Sequence, residues 1–461
     1  MVYENGLFIF RRDLRIVDNN ALNMIQTQCK NIFTIFIFTP EQVTSSNSFK
    51  SDNAVQFMIE SLEDLSKEIQ QKGGHLYTFY GENTKIVRQC IKTLDIQYVA
   101  FNLDYTPYSL KRDKDIIDLC EREKVAVETN EDYYLHPPGT ILNGSAETYK
   151  KFTPYYQAAM KKAIQPPSSY KKIHFSKTTK QLTNLISLSS AMTKFTKINP
   201  AILVHGGRKD AVQCLKTAVK TQSHYSKTHN DLEKPTTQLS AYIKFGCVSI
   251  REVWHSFHSN RDLVRQLIWR DFYANILFSF PYVLGHPMKQ SYNNLHWHKN
   301  TKWLNAWKTG NTGFPVVDAG MRQLNATGYM HNRARLITSS FLIKVLLIDW
   351  QDGEKYFAQH LTDYDPASNN GNWQWGASTG ADSQPYFRIF NPWLQSKEYD
   401  PNAEYIKKWI PELQEVPPKI IHNWYKFYND PQYKNIKYSD PIVDYNKQKE
   451  MALKMYSSVF H

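Results

Sequence analysis

The run IFTIFIF, from Ile32 to Phe38, is built almost wholly of isoleucine and phenylalanine and indicates a β-strand with both faces buried. A shorter run of the same kind, Leu7–Phe10, precedes it. Strands buried on both faces are typical of parallel sheets, because the crossover helices cover such a sheet from both sides. These two runs therefore predict that the chain begins with an α/β domain.

Alternating strand and helix patterns continue from IFTIFIF as far as residue 130. Between Ser51 and Gly73, apolar residues recur at helical spacing, with Ser51 suited to cap the helix and Gly73 to end it. The further strands and helices are predicted at His75–Tyr80, Thr84–Leu94, Tyr98–Asn102, Leu110–Lys124 and Val125–Glu128. Five strands separated by helices predict a parallel sheet with right-handed crossovers.

The alternation ends after residue 130. Residues 131–204 contain HPPG at 136–139, QPPSS at 165–169 and a run rich in serine, threonine and lysine, which together indicate a long surface connection. From residue 205 the pattern is helical and aromatic, and Val317–Thr327 and Arg333–Ile348 are the clearest helices. The sequence thus predicts an α/β domain at 1–130, a linker at 131–204 and an all-helical domain at 205–461.

The tryptophans divide the chain in the same way. All 11 lie between Trp254 and Trp424, and none occurs in the first 253 residues. If tryptophan served only to fill cores, a more even spread would be expected. The split therefore indicates two units with different roles.

Composition excludes several classes of protein. Phe341–Trp350, the best candidate for a membrane span, is too short and contains two charged residues, and the N-terminus lacks the features of a secretory signal. Five widely spaced cysteines form no CxxC pair, which indicates reduced thiols and no metal site. We expect an intracellular protein of the cytoplasm or nucleus. The net charge of +13 fits a nucleic-acid partner or a solvated lysine-rich surface.

Three clusters concentrate polar chemistry in the helical part. The stretch LTDYDPASNNGNWQWG at 361–376 groups acids, amides and indoles, which is typical either of a wet loop or of a cavity for a large polar ligand. MHNRAR at 330–335 opens a helix with two arginines and favours an anionic partner. PTTQLS at 235–240 precedes a helix, where its hydroxyls suit either a phosphate or a helix cap.

The motifs are more specific together than apart. TQLSAYIKFGCVS (237–249), QLIWRDFY (266–273), GNTGFPVVDAGMRQLNATGYMHNRARL (310–336), DYDPASNNGNWQWGASTG (363–380) and PYFRIFNP (385–392) occur in that order. From about residue 5 to about residue 415, the chain resembles the photolyase/cryptochrome flavoproteins, and most of all the class I photolyases of microbes. The resemblance implies a Rossmann-like α/β antenna domain followed by a helical FAD-binding domain.

The resemblance also implies a set of FAD-binding residues. Tyr225 and the run Thr236, Thr237, Gln238, Leu239 and Ser240 match the stretch that holds the diphosphate of FAD. Around the flavin, the matching residues are Arg270, Asn332, Arg335, Asp363, Asp365 and Asn369. Asn369 matches the residue that faces flavin N5, where an amide can adjust to either protonation state. Arg335 and Asp363 are expected to pair, because an unpaired buried charge is costly.

Five tryptophans receive a role from the resemblance. Trp373, Trp350 and Trp297 match an electron-transfer chain that runs from the flavin to the surface. Trp269 and Trp375 match residues that flank a flipped-out DNA lesion, where aromatic rings stack on splayed bases. Arg333 and Gln395 match positions on the DNA strand, and Gln266, Arg270, Asn332 and Leu336 also belong to the expected lesion and DNA side.

The chain departs from the class I pattern at Gln266, where a glutamate is usual in that motif. An amide still donates a hydrogen bond but lends no proton, so the resemblance implies reduced repair yield. Gln also occurs there in (6-4) photolyases and animal cryptochromes. The (6-4) enzymes, however, carry two histidines where this chain has Asn332 and Leu336.

The antenna domain departs further. Tyr108 and Ser109 stand where folate-binding relatives carry an Asn-Glu pair. This favours a different second chromophore, such as a deazaflavin, or none, and leaves a folate type as the other alternative.

The activity implied by the resemblance is light-driven repair of cyclobutane pyrimidine dimers, by electron transfer from photoexcited reduced FAD to a flipped-out dimer. The expected partner is UV-damaged DNA, and the expected state is a monomer with no metal and no membrane contact. The alternatives are a cryptochrome-type photoreceptor, a (6-4) photolyase and a light-independent flavin-dependent DNA-binding protein.

Overall fold

A computed structural model of the chain describes residues 2–168 and 172–460. Its N-terminal part is a five-stranded parallel sheet in the order β3-β2-β1-β4-β5. The strands are β1 (Tyr3–Phe10), β2 (Cys29–Phe38), β3 (Leu76–Tyr80), β4 (Tyr98–Asn102) and β5 (Ala126–Asn130). The predicted α/β fold is therefore confirmed.

The β2 strand is buried on both faces, as its composition predicts. Phe36 and Phe38 enter a core that continues into the helical part of the chain, whereas Ile35 and Ile37 enter a second core on the other side of the sheet. Because side chains alternate along a strand, Phe33 enters the second core with Ile35 and Ile37.

Helices account for the remaining regular structure. In the first half they are α1 (Asn20–Gln28), α2 (Pro40–Val43), α3 (Asp52–Gln71), α4 (Asn83–Thr93), α5 (Pro107–Arg122), α6 (Phe152–Ala159) and α7 (Leu188–Phe195). From residue 205 they are α8 (Arg208–Thr221), α9 (Tyr225–Thr228), α10 (Ser240–Lys244), α11 (Ile250–Phe257), α12 (Arg261–Ser279), α13 (Thr301–Thr309), α14 (Pro315–Thr327), α15 (Asn332–Lys344), α16 (Trp350–His360), α17 (Pro366–Ala377), α18 (Pro392–Tyr399), α19 (Glu404–Trp409), α20 (Pro418–Ile421), α21 (Trp424–Phe427) and α22 (Tyr445–Ser457). Short 3₁₀ turns lie at Pro281–Val283, Gln290–Asn294, Pro411–Leu413 and Ser458–Phe460.

Capping explains where the predicted boundaries shift. The Ser51 hydroxyl accepts a hydrogen bond from the Ala54 amide and begins α3, as predicted. The α5 helix begins earlier than the predicted Leu110, because Thr106 caps it and a proline occupies its first turn. The α15 helix ends at Lys344 and not at Ile348. The apolar residues after Lys344 form a buried loop. Their apolar character matches the pattern of a buried helix, so the sequence predicts a helix that is too long.

The segment between the sheet and residue 205 is not merely a surface connection. It forms α6 and α7 and returns to the sheet through bridges from Phe175 to Ile32 and from Leu185 to Phe79. The predicted QPPSS turn ends on Ser169, which lies outside the described residues.

A buried ionic network joins the sheet to the helical part. Arg251 on α11 pairs with Asp18 at 3.0 Å and with Asp132 at 2.7 Å, and Arg15 also pairs with Asp132. These four side chains are almost fully buried, so each charge depends on its partners.

Within the described part of the chain, no helix is long and apolar enough to span a membrane. The five cysteines are unpaired thiols, and four of them are buried. No group of His, Cys, Asp or Glu side chains among residues 2–168 and 172–460 is arranged to hold a metal ion.

Candidate functional site

A cavity of about 490 Å³ opens in the helical part, where α12, α15 and α17 meet. It brings together most of the residues that the sequence singles out. Those that line it are Tyr225, Thr237, Leu239, Ser240, Gln266, Trp269, Arg270, Asn332, Arg335, Leu336, Asp363, Asp365, Asn369, Trp373 and Trp375. The cavity interpretation of residues 361–376 is thus confirmed, and the wet-loop alternative is wrong.

The α17 helix carries much of this wall, and its start is fixed by Asp365. The Asp365 carboxylate accepts a hydrogen bond from the Ser368 amide at 3.0 Å, and a proline follows it at the first helical position. Gly371 lets α17 approach α12, because a Cβ there would lie 2.1 Å from the Tyr273 ring. The amide-rich and indole-rich face of α17 is thereby held against the cavity.

Arg335 and Asp363 form the predicted ion pair, with 2.9 Å between Nη2 and Oδ2. The Arg335 Nε atom also donates to the Met330 carbonyl at 2.8 Å. Burial alone would lower the pKa of Arg335, but the adjacent carboxylate raises it above its usual value. The two side chains fix each other's orientation at the cavity wall.

Two buried polar atoms on the cavity residues have no hydrogen-bond partner among the described residues. They are Nη2 of Arg270 and Oδ1 of Asp363. Arg270 otherwise donates from Nη1 to the Tyr133 carbonyl at 2.6 Å. A buried group without a partner is costly, and here an unpaired donor and an unpaired acceptor belong to two residues that line one cavity. This arrangement fits a bound polar ring system with complementary groups, such as FAD.

Asn369 is held in place from behind. Its side-chain amide donates to the Glu354 carbonyl at 3.0 Å, and the Glu354 carboxylate accepts from the Asn370 amide at 3.0 Å. Burial raises the pKa of Glu354 to about 7, although Asn370 opposes the change. The amide expected to face flavin N5 is thus fixed by a second helix, α16.

The mouth of the cavity is aromatic and polar. Trp269 is half-buried and stacks on Phe152 of α6 with ring centroids 3.6 Å apart and planes 5° apart. Trp375 and Leu336 are half-buried, while Gln266 and Asn332 are exposed. This side of the cavity can receive a planar group from solvent, with Trp269 held rigid by the ring behind it.

Six predicted residues do not line this cavity, namely Thr236, Gln238, Arg333, Gln395 and the tryptophans Trp297 and Trp350. The Thr236 hydroxyl bonds to the Tyr329 hydroxyl at 3.2 Å, and Gln238 has a left-handed backbone with φ of 54° that shapes the turn before α10. Arg333 donates to Asn230 and lies over the Tyr399 ring at 4.2 Å. Gln395 lies on α18 and is half-buried.

The three tryptophans of the expected electron-transfer chain share one hydrophobic cluster. Trp373 and Trp350 are buried in it, and the half-buried Trp297 packs against it. Gly353 on α16 contacts the Trp373 ring, since a Cβ there would lie 2.1 Å from it. Trp350 lies one turn earlier on the same helix. Trp350 and the glycine that contacts the Trp373 ring thus lie on one helix, and the electron-transfer role of the three indoles stays a prediction.

A second cavity, of about 1020 Å³, is lined by Tyr108 and Ser109, the pair that bears on the antenna chromophore in the sequence. It lies at the carboxyl ends of β1 and β2 and is closed by residues of the helical part. Its walls include Arg12, Asp104, Tyr108, Lys244 and Tyr364, which come from distant parts of the chain. A further signal in the sequence is the FRRDLR motif after β1, because ligands of parallel sheets bind at this edge.

Arg12 joins the two cavities. It pairs with Asp104 at 3.1 Å in the second cavity and with Asp365 at 3.1 Å in the first. Burial alone would raise the pKa of Asp104, but Arg12 and Arg112 lower it to about 2. Lys244 and Tyr364 line both cavities.

A parallel α/β sheet followed by a helical part with this polar and aromatic cavity defines a two-domain flavin-binding fold. Residues 7–171 match the family profile described as DNA photolyase, and residues 263–458 match the profile described as FAD binding domain of DNA photolyase. The chain belongs to the DNA photolyase family.

Relatives match over nearly the whole chain. A deoxyribodipyrimidine photo-lyase of Buchnera aphidicola is 36% identical over 98% of this chain and 98% of its own. An archaeal photolyase of Sulfolobus tokodaii, solved with two FAD molecules, is 38% identical with a TM-score of 0.88, covering 98% of this chain and 100% of its own. A class III photolyase of Agrobacterium tumefaciens is 31% identical with a TM-score of 0.92, covering 100% of this chain and 98% of its own.

Proposed function

We propose that the protein is a deoxyribodipyrimidine photo-lyase, which uses light and FAD to split cyclobutane pyrimidine dimers in DNA. The observation that carries this proposal is the single cavity that joins an expected flavin side, Asn369 and Trp373, to an expected lesion side, Trp269 and Trp375. A flipped-out dimer needs such an opening from solvent to a buried reactive group.

FAD, when bound, supplies the light absorption and the electron that splits the cyclobutane ring. Arg335 and Asp363 hold the flavin side through their fixed pair, and Arg270 and Asp363 offer the free donor and acceptor. Thr237, Ser240 and Tyr225 lie where the diphosphate is expected. Asn369 offers an amide whose orientation is set by Glu354.

At the mouth, Trp269 and Trp375 stack on the splayed bases and exclude water from them. Gln266 donates a hydrogen bond to the dimer from its exposed position on α12. Arg333 and Gln395, which lie outside the cavity, contact the flanking DNA strand. The net charge of +13 makes the affinity for DNA fall as salt rises.

We propose that the second cavity holds an antenna chromophore of flavin or deazaflavin type. Its position at the carboxyl edge of the sheet is the usual ligand site of such domains. The S. tokodaii relative, which is described with two FAD molecules and a novel light-harvesting cofactor, supports a second flavin. On this assignment, residues 1–130 are the antenna domain, 131–204 the linker and 205–461 the FAD domain. The protein acts as a monomer inside the cell, where its DNA substrate lies.

The deciding experiment uses purified protein with chemically reduced FAD and oligonucleotides that carry one cyclobutane dimer or one (6-4) product. We expect light-dependent loss of the dimer only. Absence of dimer repair would contradict the proposal and favour a photoreceptor, whereas reversal of the (6-4) product would assign the other repair class. Trp269→Ala should abolish repair while leaving flavin absorbance in place.

A further inference from the structure

A second aromatic path leads away from the cavity through residues that the expected tryptophan chain does not include. The Trp373 ring contacts the Trp307 ring with centroids 6.2 Å apart and planes at 75°. Trp307 in turn contacts Tyr356, with centroids 5.7 Å apart and planes at 61°. Tyr356 is half-buried, so this path runs from the cavity to the surface.

We propose that Trp307 and Tyr356 form a second electron-transfer branch from Trp373, parallel to Trp350 and Trp297, and that this branch ends in a tyrosyl radical. The inference rests on the proposed function, because it concerns the light-driven reduction of oxidised FAD that the tryptophan chain serves. Electron transfer falls steeply with distance, and both steps of this branch are ring contacts.

The surroundings of Trp307 suit a relay. Its side chain is fully buried, and its indole N–H donates to the Thr338 carbonyl at 2.9 Å. A peptide carbonyl cannot take that proton, so an oxidised Trp307 remains a radical cation. A buried, unpaired charge is unfavourable, so the oxidised indole draws an electron from its neighbour and does not persist.

Tyr356 can end the path because its proton can leave. Its hydroxyl oxygen lies 2.8 Å from the Asn325 side-chain oxygen, at an exposed position, and 3.0 Å from the Lys308 carbonyl, so its single proton has two acceptors to choose between. The Lys308 ammonium lies 5.4 Å from the ring centroid and disfavours a positive charge on the ring. Oxidation of Tyr356 is therefore coupled to release of the phenol proton into water.

The electron balance is simple. Trp373 gives one electron to the excited flavin, Trp307 gives one electron to oxidised Trp373, and Tyr356 gives one electron to oxidised Trp307. Tyr356 loses one proton to solvent and becomes a neutral radical, which an external thiol then reduces. Each one-electron reduction through this branch thus releases one proton.

The test first blocks the branch through Trp350 and Trp297 by the substitution Trp350→Phe. In a Trp350→Phe background with oxidised FAD and a thiol, we expect light-driven FAD reduction to persist. Adding Trp307→Phe should lower the remaining rate by about tenfold. The matched control is Trp424→Phe in the same background, since Trp424 is also buried and also donates its indole N–H to a backbone carbonyl, that of Ser439. Equal losses in both double variants would overturn the proposal.

A spectroscopic measurement tests the branch without replacing the buried Trp307. The Trp350→Phe protein, illuminated without thiol, should give a tyrosyl radical signal by electron paramagnetic resonance. The signal should narrow with ring-deuterated tyrosine and vanish in Trp350→Phe/Tyr356→Phe. A signal that survives Tyr356→Phe, or no signal at all, would contradict the branch. Dimer repair by the chemically reduced, unsubstituted protein tests the proposed function separately, so the two failures are distinguishable.

Discussion

The two cavities differ in how they are made. The first is built within the helical part, mainly by α12, α15 and α17, and its polar residues lie in a few long motifs. The second is about twice as large and is assembled from residues between Ile9 and Pro366, contributed by both halves of the chain. A site built within one domain can be recognised from contiguous sequence motifs, whereas the residues of a site formed between domains are far apart in the sequence. The difference also predicts unequal sensitivity to substitution.

The largest effect is expected in the first cavity from Asp363→Asn. The change keeps the side-chain shape but leaves the Arg335 guanidinium without its counter-charge, at a cost of about 2 to 4 kcal/mol. Affinity of the apoprotein for FAD, measured by flavin fluorescence, should fall by roughly thirtyfold or more. Asp115→Asn, which breaks the exposed pair with Lys111, is the control and should leave FAD affinity unchanged. Similar affinities in both variants would refute the argument.

The boundary between the cavities is expected to be pH-sensitive through Glu354. Its folded pKa of about 7 lies above the usual 4.5, so in this interval the folded state binds a proton that the unfolded chain has released. The resulting stability is full below pH 4.5 and is lost as pH rises through 7. Relative to Glu354→Gln, the protein should lose on the order of 1 to 3 kcal/mol between pH 5 and 8. Urea unfolding at the two pH values measures this, with exposed Glu415→Gln as control. Parallel pH profiles would contradict it.

In the second cavity, Tyr108→Ala should weaken one site alone. The change removes an aromatic wall whose hydroxyl bonds to Thr39 at 3.0 Å. Titration of the apoprotein with FAD should show two binding steps, of which the weaker loses about tenfold in affinity. Weakening of both steps would mean that the cavities do not bind independently.

The smallest effect is expected from Gln266→Glu at the mouth of the first cavity. A protonated carboxyl group donates a hydrogen bond to the dimer and can also lend its proton, which the amide of Gln266 cannot do. The quantum yield of repair should rise by roughly two- to threefold, on the scale of one hydrogen bond. Gln266→Ala, measured beside it, should lower the yield. An unchanged yield in Gln266→Glu would show that this position does not set the efficiency.

The sequence predicts the parts of the molecule whose physical signal is local. A continuous run of isoleucine and phenylalanine identifies β2, and the acid, amide and indole run at 361–376 identifies the cavity wall. Trp307 could not be separated from ordinary core tryptophans, because its meaning depends on a ring contact with Trp373. The same holds for Arg12, whose partners Asp104 and Asp365 are distant in sequence. Contacts between residues that are distant in the sequence produce no periodic pattern from which they could be predicted.

Arg12 limits which α/β domains of relatives could replace the α/β domain of this protein. Its guanidinium holds Asp365, which begins the helix that carries Asn369 and Trp373. The α/β domain therefore supports one end of the helix on which the flavin-facing residues lie. A chimera that takes this domain from a relative with another chromophore must keep an arginine at position 12 opposite Asp365. Recombination within the family is thus constrained at this contact, even where the second chromophore differs.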